Sequence, residues 1–484
     1  MSISGSMSSA LSGLNVAARN AEVISSNIAN ALTEGYGRRE LQLSARRLGG
    51  TGQGVQVTGI AREINQILIA DRRIAEAGAA NLDSRASFLS QLETSFGSPE
   101  NADSLSGRIA SLDSAFLAAA AQPESSTRHS QVFDAAEALT KSFQTISSDI
   151  QAARSAADTR IASEVEGINR ALVSIAELNR NITSLSSGGR DTSALVDQRQ
   201  QLIDQIATVI PIREVPRENG KIALFTSGGA VLLEGKPAEL GFSSVNLITP
   251  DMTQSSGALS GLTINGRAVR TDASGPLVGG SLAANFAIRD DLAPAAQANL
   301  DAVARDLVGR FQDPAMDATL ATGAPGLFTD LGSAFTSTNE VGLASRLRIN
   351  AAVDPAAGGA LWRLRDGLGA AAQGPIGQSA LFSAMQSALN DSRPTASGAF
   401  AGSTRSLGSL SAQVLSSVAS DRLSYETEAG FAAARASALQ SLELEGGVDT
   451  DRELQDLLLV EQAYAANAKV IQTADDLIQI LLGM

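Results

Sequence analysis

The chain has 484 residues, enough for two or three domains with cores of their own. Its 51 acidic side chains outnumber 37 basic ones for a net charge of -14, and Arg38-Arg39, Arg46-Arg47 and Arg72-Arg73 are the notable basic pairs. That balance argues against a nucleic-acid-binding surface, and no nucleic acid is expected as a partner; with no cysteine and one histidine, disulfides and zinc sites are excluded, and neither metal nor cofactor is expected.

At the N-terminus, Met7, Leu11, Leu14, Ala18, Ala21, Ser25, Ile28 and Leu32 recur with alternating spacings of three and four, the seam of a coiled-coil helix. Ser12, Asn15, Arg19 and Asn20 interrupt its apolar character, so it does not read as an ordinary secretory signal. No apolar run approaches the roughly 18 residues that a membrane span requires, and none is expected. Glu34-Gly35-Tyr36-Gly37 breaks the helix; Glu40 to Ser44 and Val55 to Thr58 then alternate as half-buried strands around the Gly49 to Gly54 turn, predicting a hairpin. A helix follows from Ile60 to Phe96, with Ile60, Ile64, Ile67, Leu68 and Ile74 on one side, and a shorter one from Leu105 to Ala121.

From His129 to Ser187 the pattern is helical throughout, and Ile161, Val165, Ile168, Leu172, Ile175, Asn179 and Ile182 form a second seam. Ser187-Gly188-Gly189 stops it and Leu195 to Val209 returns as an amphipathic helix, which suggests a rod. Between Pro211 and Ile288 the period changes to that of strands: Ile212 to Val215, Ile222 to Phe225, Val231 to Leu233 and Leu262 to Ile264, with an Asn265-Gly266 hairpin turn. Helix resumes from Asp291 to Gln312. Residues 313–404 are rich in Gly, Ala, Ser and Pro and poorly readable, with short strands expected at Leu347 to Ile349 and Leu361 to Leu364. A long helix spans Ser406 to Leu444.

The last stretch, Asp449 to Met484, has the plainest period, in Leu457, Val460, Tyr464, Asn467, Ile471, Ala474, Ile478 and Leu481. Neither terminal stripe can bury itself alone, so the two helices are expected to pair with each other or with neighbouring subunits; the alternative is that each docks on its own globular neighbour. Charge agrees, with five Arg against three Glu in the first fifty residues and seven acids against one Arg and one Lys in the last helix. Asn467, polar at a seam position, would set register at some cost in stability. The fold class is thus mainly α with an inserted β-rich domain: 1–35 with 448–484 as a terminal coiled coil, 36–209 with 289–447 as a helical rod, and 210–288 as an outer β domain.

No catalytic constellation emerges. His129 reads as a solvated helix-start residue, and Asp197 and Asp204 fall on the polar face of an amphipathic helix, where solvation is the ordinary explanation. An acid pair assembled from distant residues is the alternative that sequence leaves open.

Ser25-Ser26-Asn27-Ile28-Ala29-Asn30 with Gly35-Tyr36, and Gln462 to Asp475 near the other end, resemble the two terminal signatures of the bacterial flagellar axial proteins, the rod, hook and hook-associated subunits. Asn27, Asn30, Gly35, Tyr36, Ala466, Thr473 and Ala474 are the motif positions; Leu32, Thr33 and Glu34 depart from the family's usual Asn-Thr-Pro before Gly-Tyr. The helical block, Leu195 to Asp204, Leu232-Leu233-Glu234-Gly235 and Gly280-Ser281-Leu282 with Ile288-Arg289-Asp290 are similar to the hook-associated branch, here in a reduced form. The resemblance implies a structural, non-enzymatic subunit of the hook-filament junction, needed for filament assembly, made in the cytoplasm and secreted unfolded by the flagellar type III route. It implies terminal helices that order on assembly and partners that include copies of itself in a ring, the hook protein and a second junction protein. A cytoplasmic export chaperone is implied too, for which Leu457, Val460, Tyr464, Ile471 and Ile478 are the candidates. Another axial subunit, rod or hook, and a secreted peptidoglycan-cleaving enzyme with axial ends are the alternatives.

Overall fold

In a computed structural model of the chain, residues 3–33, 35–48, 51–188 and 190–483 are described. Parts of the turn readings at Glu34, Gly49, Gly50 and Gly189 lie outside the described residues. The chain opens with α1 (Ile3–Ala29), followed by an antiparallel hairpin of β1 (Arg38–Leu48) and β2 (Thr51–Glu63), with Leu41 opposite Ile60 and bulges after Gln42 and Ala45. The hairpin runs further than the alternation suggested. Ile60 therefore lies in a strand rather than a helix, and α2 (Gln66–Phe96) starts where the Asn65 side chain accepts from the Leu68 amide at 3.2 Å. Ile67 and Ile74, expected on the buried side, are exposed; Ile69, Arg72, Arg73 and Ala77 occupy it, because acidic partners draw the arginines inward.

After α3 (Leu105–Ala121) comes α4 (Ser126–Ser187), whose 62 residues span about 93 Å at 1.5 Å each. This helix is the spine. Its first half enters a core that includes Phe116, Phe143, Leu300, Phe311 and Phe382; its second half enters another, built with α5 (Ser193–Ala207) and the strands that follow. Every member of the expected second seam is buried, but a β layer and α5 share in covering it rather than one matching helix.

Those strands are β3 (Ile212–Pro216), β4 (Ile222–Thr226), β5 (Val231–Glu234) and β6 (Lys236–Pro237), forming an antiparallel meander. A three-stranded sheet of β7 (Leu240–Gly241), β8 (Leu262–Ile264) and β9 (Arg267–Val269) follows. Asn265 and Gly266 sit at φ 51° and 75°, the mirror-image turn that two-residue hairpins demand. The β region shares its core with α4 and α5, since two small sheets cannot bury enough apolar area alone.

The returning helical segment starts earlier than expected, as α6 (Gly280–Ala287), passes through a π-turn at Ile288–Leu292, and continues as α7 (Ala293–Phe311). The stretch 313–404 is built of short pieces: β10 (Phe328–Asp330), α8 (Leu343–Arg346), β11 (Leu347–Ile349), α9 (Arg363–Asp366), α10 (Ala380–Asn390), β12 (Arg393–Pro394) and β13 (Thr404–Arg405). Leu361 and Trp362 form a turn and Arg363 and Leu364 open α9, so the stretch is not a strand; Leu364 is drawn into the first core on a helical turn. Finally α11 (Leu407–Glu445) lies along α2, and α12 (Thr450–Leu482) lies along α1.

Candidate assembly site at the paired termini

Helices α1 and α12 run antiparallel. Asn27 meets Glu453 near one end, Gly13 faces Asn467 midway, and Ile3 and Ser6 share a groove with Lys469, Thr473 and Leu477 at the other. A Cβ on Gly13 would stand 2.6 Å from the Asn467 Oδ1, so the absence of a side chain there lets the helices approach. Asn467 donates to the Ala463 carbonyl in its own helix at 2.8 Å.

On α12, Leu457, Val460, Asn467, Ile471, Ala474 and Ile478 lie on the buried or half-buried side, while Tyr464 and Leu481 are largely exposed. On α1, Met7, Leu14 and Ile28 are half-buried, whereas Leu11 is exposed and Leu32 lies in the turn beyond the helix end. Ala10, Ala17 and Ile24 are buried instead. The three-and-four alternation of α1 within one chain is thus Met7, Ala10, Leu14, Ala17, Ala21, Ile24, Ile28, one residue off the expected set at alternate positions. The physical reason is that α1 is contacted from two sides: the amide of Val55 in β2 donates to Ser12 Oγ at 3.1 Å, so small residues fill the narrow inner face. Ala466 and Thr473 line the groove beside Ile3 and are themselves exposed.

The motif residue Asn27 is 1% exposed and uses its whole amide. Its Oδ1 accepts from Tyr36 Oη and the Arg39 amide, each at 2.9 Å, and its Nδ2 donates to the Arg39 carbonyl at 2.9 Å and Glu453 Oε2 at 3.0 Å. Asn30 caps the helix end through Nδ2 to the Ser26 carbonyl at 2.9 Å. Gly35, at φ 77°, passes so close to Gln201 that a Cβ would meet its side chain at 3.0 Å. Tyr36 lies under the Arg39 guanidinium, 4.9 Å from its ring centre.

From this knot a chain of ion pairs runs into the rod. Arg38 Nε donates to Glu453 Oε1 at 2.7 Å; burial opposes the Arg38 charge, but the bond and charge of Glu453 outweigh it and raise the pKa. Arg39 and Arg62 converge on Asp197 at 2.9 and 2.7 Å. Arg72 and Arg73 converge on Asp204 at 3.0 and 2.6 Å, Arg72 also holds Glu443 of α11 at 2.5 Å, and Arg73 holds Glu214 of β3 at 3.0 Å. Asp197 and Asp204 are therefore bonded anchors rather than solvated carboxylates, because the hairpin and α2 lay arginines across that face of α5. Sequence reasoning missed this network; the only signal was two Arg-Arg pairs, at 38–39 and 72–73, in a strongly acidic chain.

His129 is likewise buried, not solvated: its Nε2 bonds the Pro123 carbonyl at 2.8 Å and its ring lies 5.4 Å from that of Phe382. Burial lowers its pKa, against a smaller opposite pull from the Pro123 bond. Among the described residues no cluster of His, Cys, Asp or Glu could hold a metal ion, and no helix is long and apolar enough to cross a membrane.

Residues 89–328 match the flagellar hook-associated protein FlgK helical domain, residues 7–36 match the flagella basal body rod protein family, and residues 445–484 match the flagellar basal body rod FlgEFG protein C-terminal family. Flagellar hook-associated protein 1 of Salmonella typhimurium is 26% identical over 236 residues, 47% of this chain and 42% of that protein. The protein of the same name from Escherichia coli K12 is 23% identical over 243 residues, covering 49% and 44%. That of Bacillus subtilis is 25% identical over 220 residues, covering 43% of each. The chain thus spans less than half the length of the curated relatives it matches. Among solved structures, the flagellar hook junction protein FlgK from Burkholderia pseudomallei aligns with a TM-score of 0.45 at 20% identity, over 54% of this chain and 46% of that one.

Proposed function

Because the chain belongs to the family of flagellar hook-associated protein 1, we propose that it is a structural subunit of the bacterial flagellum that forms the hook-filament junction and carries filament assembly on the hook. The observation that carries this reading is the pairing of two rod-family termini by the motif residue Asn27 and Glu453, with the hook-associated helical domain threaded between them. A chain whose ends clasp each other presents one continuous helical face to its neighbours. Leu11 on α1 and Leu454, Leu458, Leu459, Leu477, Ile480 and Leu481 on α12 remain exposed in the single chain, an apolar surface suited to copies of itself in a ring and to other axial subunits.

The role is load transmission, not catalysis. The buried carboxylates Asp158, Asp197 and Asp301 are each held by arginine or backbone donors, which favours rigidity over proton transfer. Export through the flagellar type III route with a cytoplasmic chaperone completes the reading. Leu457, Val460, Ile471 and Ile478 lie against α1, so a chaperone that covers them competes with α1 for the same face of α12. Neighbours in the assembly would be the hook protein on one side and a second junction protein on the other.

The test is electron microscopy of cells lacking this chain, with the medium assayed for filament subunit. Completed hooks without filaments, and subunit lost to the medium, are expected; absent hooks would assign the chain to the rod or hook, and intact filaments would refute the role.

A further inference from the structure

Between the end of β2, the start of α2, α5 and β3 lies a recess of about 90 Å³. A single water needs roughly 10–15 Å³ by the same measure. Among the described residues the charged side chains in its wall are Arg62, Arg73, Arg199 and Glu214, three cations to one anion. Arg62 is paired with Asp197 and Arg73 with Asp204 and Glu214. Arg199, only 6% exposed, spends its Nη1 on the neutral oxygens of Asn179 and Gly220, at 2.8 and 2.7 Å, and has no carboxylate within ion-pair distance among the described residues. Burial lowers its pKa; Glu214 offsets part of that, and Arg62 lowers it further. Arg73 keeps a second sign of the same surplus: its Nη2 is buried and has no hydrogen-bond partner among the described residues.

We propose that this recess binds one small tetrahedral oxyanion, of the phosphate or sulfate type, between Arg62, Arg73 and Arg199. The wall is rich in donors and positive charge, so it needs a guest that only accepts hydrogen bonds and carries negative charge. A cation would add to the surplus, and a neutral donor would compete for the few acceptors present. The site lies where β2 hands over to α2 across α5, beside the Asp197 anchor. A bound oxyanion therefore ties the hairpin, and through it the terminal helix pair, to the rod.

The experiment is calorimetric titration of the full chain with sodium sulfate and with inorganic phosphate at constant ionic strength set by sodium gluconate. One saturating site per chain is expected, with a saturable rise in the thermal midpoint of roughly 2 °C. Arg199→Gln should weaken binding at least about tenfold while circular dichroism stays unchanged. Glu214→Gln, which removes the one wall carboxylate, should tighten it. A recess filled with water alone would give no saturable heat, and that result overturns the assignment. So does a titration that Arg199→Gln leaves unaltered in a folded chain. Should Arg199→Gln fail to fold, unchanged or weaker binding by Glu214→Gln overturns it equally.

Discussion

Replacing Asn27 by alanine is the sharpest perturbation of the terminal knot. The substitution deletes four hydrogen bonds of 2.9 to 3.0 Å, strands the Arg39 amide and carbonyl and one oxygen of Glu453, whose side chain is 1% exposed, and leaves Tyr36 Oη with Ser26 Oγ at 3.4 Å. A neutral bond contributes about 1 kcal/mol net, and a bond to a charged group about 1.5–3. Three neutral bonds and one to a carboxylate, less what a water entering the vacated space restores, leave a local loss of about 3–4 kcal/mol. Hydrogen exchange of the full chain reads this directly. At 1.36 kcal/mol per tenfold, amides of 20–29, 38–42 and 453–457 should exchange several hundredfold faster, roughly, while those around Leu300 in the rod core keep their protection. Glu453→Gln should cost less, since the amide oxygen still accepts from Asn27 while the charge facing Arg38 is lost. Equal protection in Asn27→Ala and the unaltered chain would refute the reasoning, because it would mean that the knot does not hold the pair in solution.

Three further outcomes follow from the same geometry. Gly13→Val should part α1 from α12 by placing a branched side chain where Asn467 now sits, seen as loss of protection confined to the terminal helices. Leu457→Asp and Ile471→Asp, on the half-buried face of α12, should abolish filament assembly and motility while the rod keeps its helical signal; normal swimming in both would sink the interface reading. Asp301, whose oxygens accept from the Gly342 and Ala344 amides at 2.7 and 2.8 Å, is pushed up to about 6 by burial. Since the folded state holds this proton to higher pH than the unfolded state, stability from this group is full below the ordinary carboxylate range and is lost as pH rises through about 6. Urea midpoints should therefore show Asp301→Asn gaining on the native chain between pH 4.5 and 7; parallel pH profiles would refute the shift.

Much of this architecture was legible because its elements are local. Asp449, where the last helix was expected to open, caps it with its own side chain, and the Asn265-Gly266 pair closes its hairpin with dihedrals that few other residues tolerate. The strands at Ile212, Ile222, Val231 and Leu262, the helices around them and the span of α12 all follow from period and punctuation within a short window. The α1 seam was misread at alternate positions because Leu11 and Ala10 fit the same period equally well. Which of them turns inward depends on β2 crossing the other side, a contact forty residues away in sequence.

By itself, then, the sequence determined the long helices, the main hairpins, the mainly helical class and the two terminal motifs, since each rests on propensities and spacings that neighbours in the chain impose; the short helices within 313–404 left no such trace. The tertiary structure alone decided the roles of the charges. Asp197 and Asp204 read as solvated carboxylates until Arg39, Arg62, Arg72 and Arg73, more than a hundred residues earlier, are laid across α5. The physical reason is range. An ion pair carries no periodic trace in sequence, and its partners are chosen by where two separately formed elements come to rest.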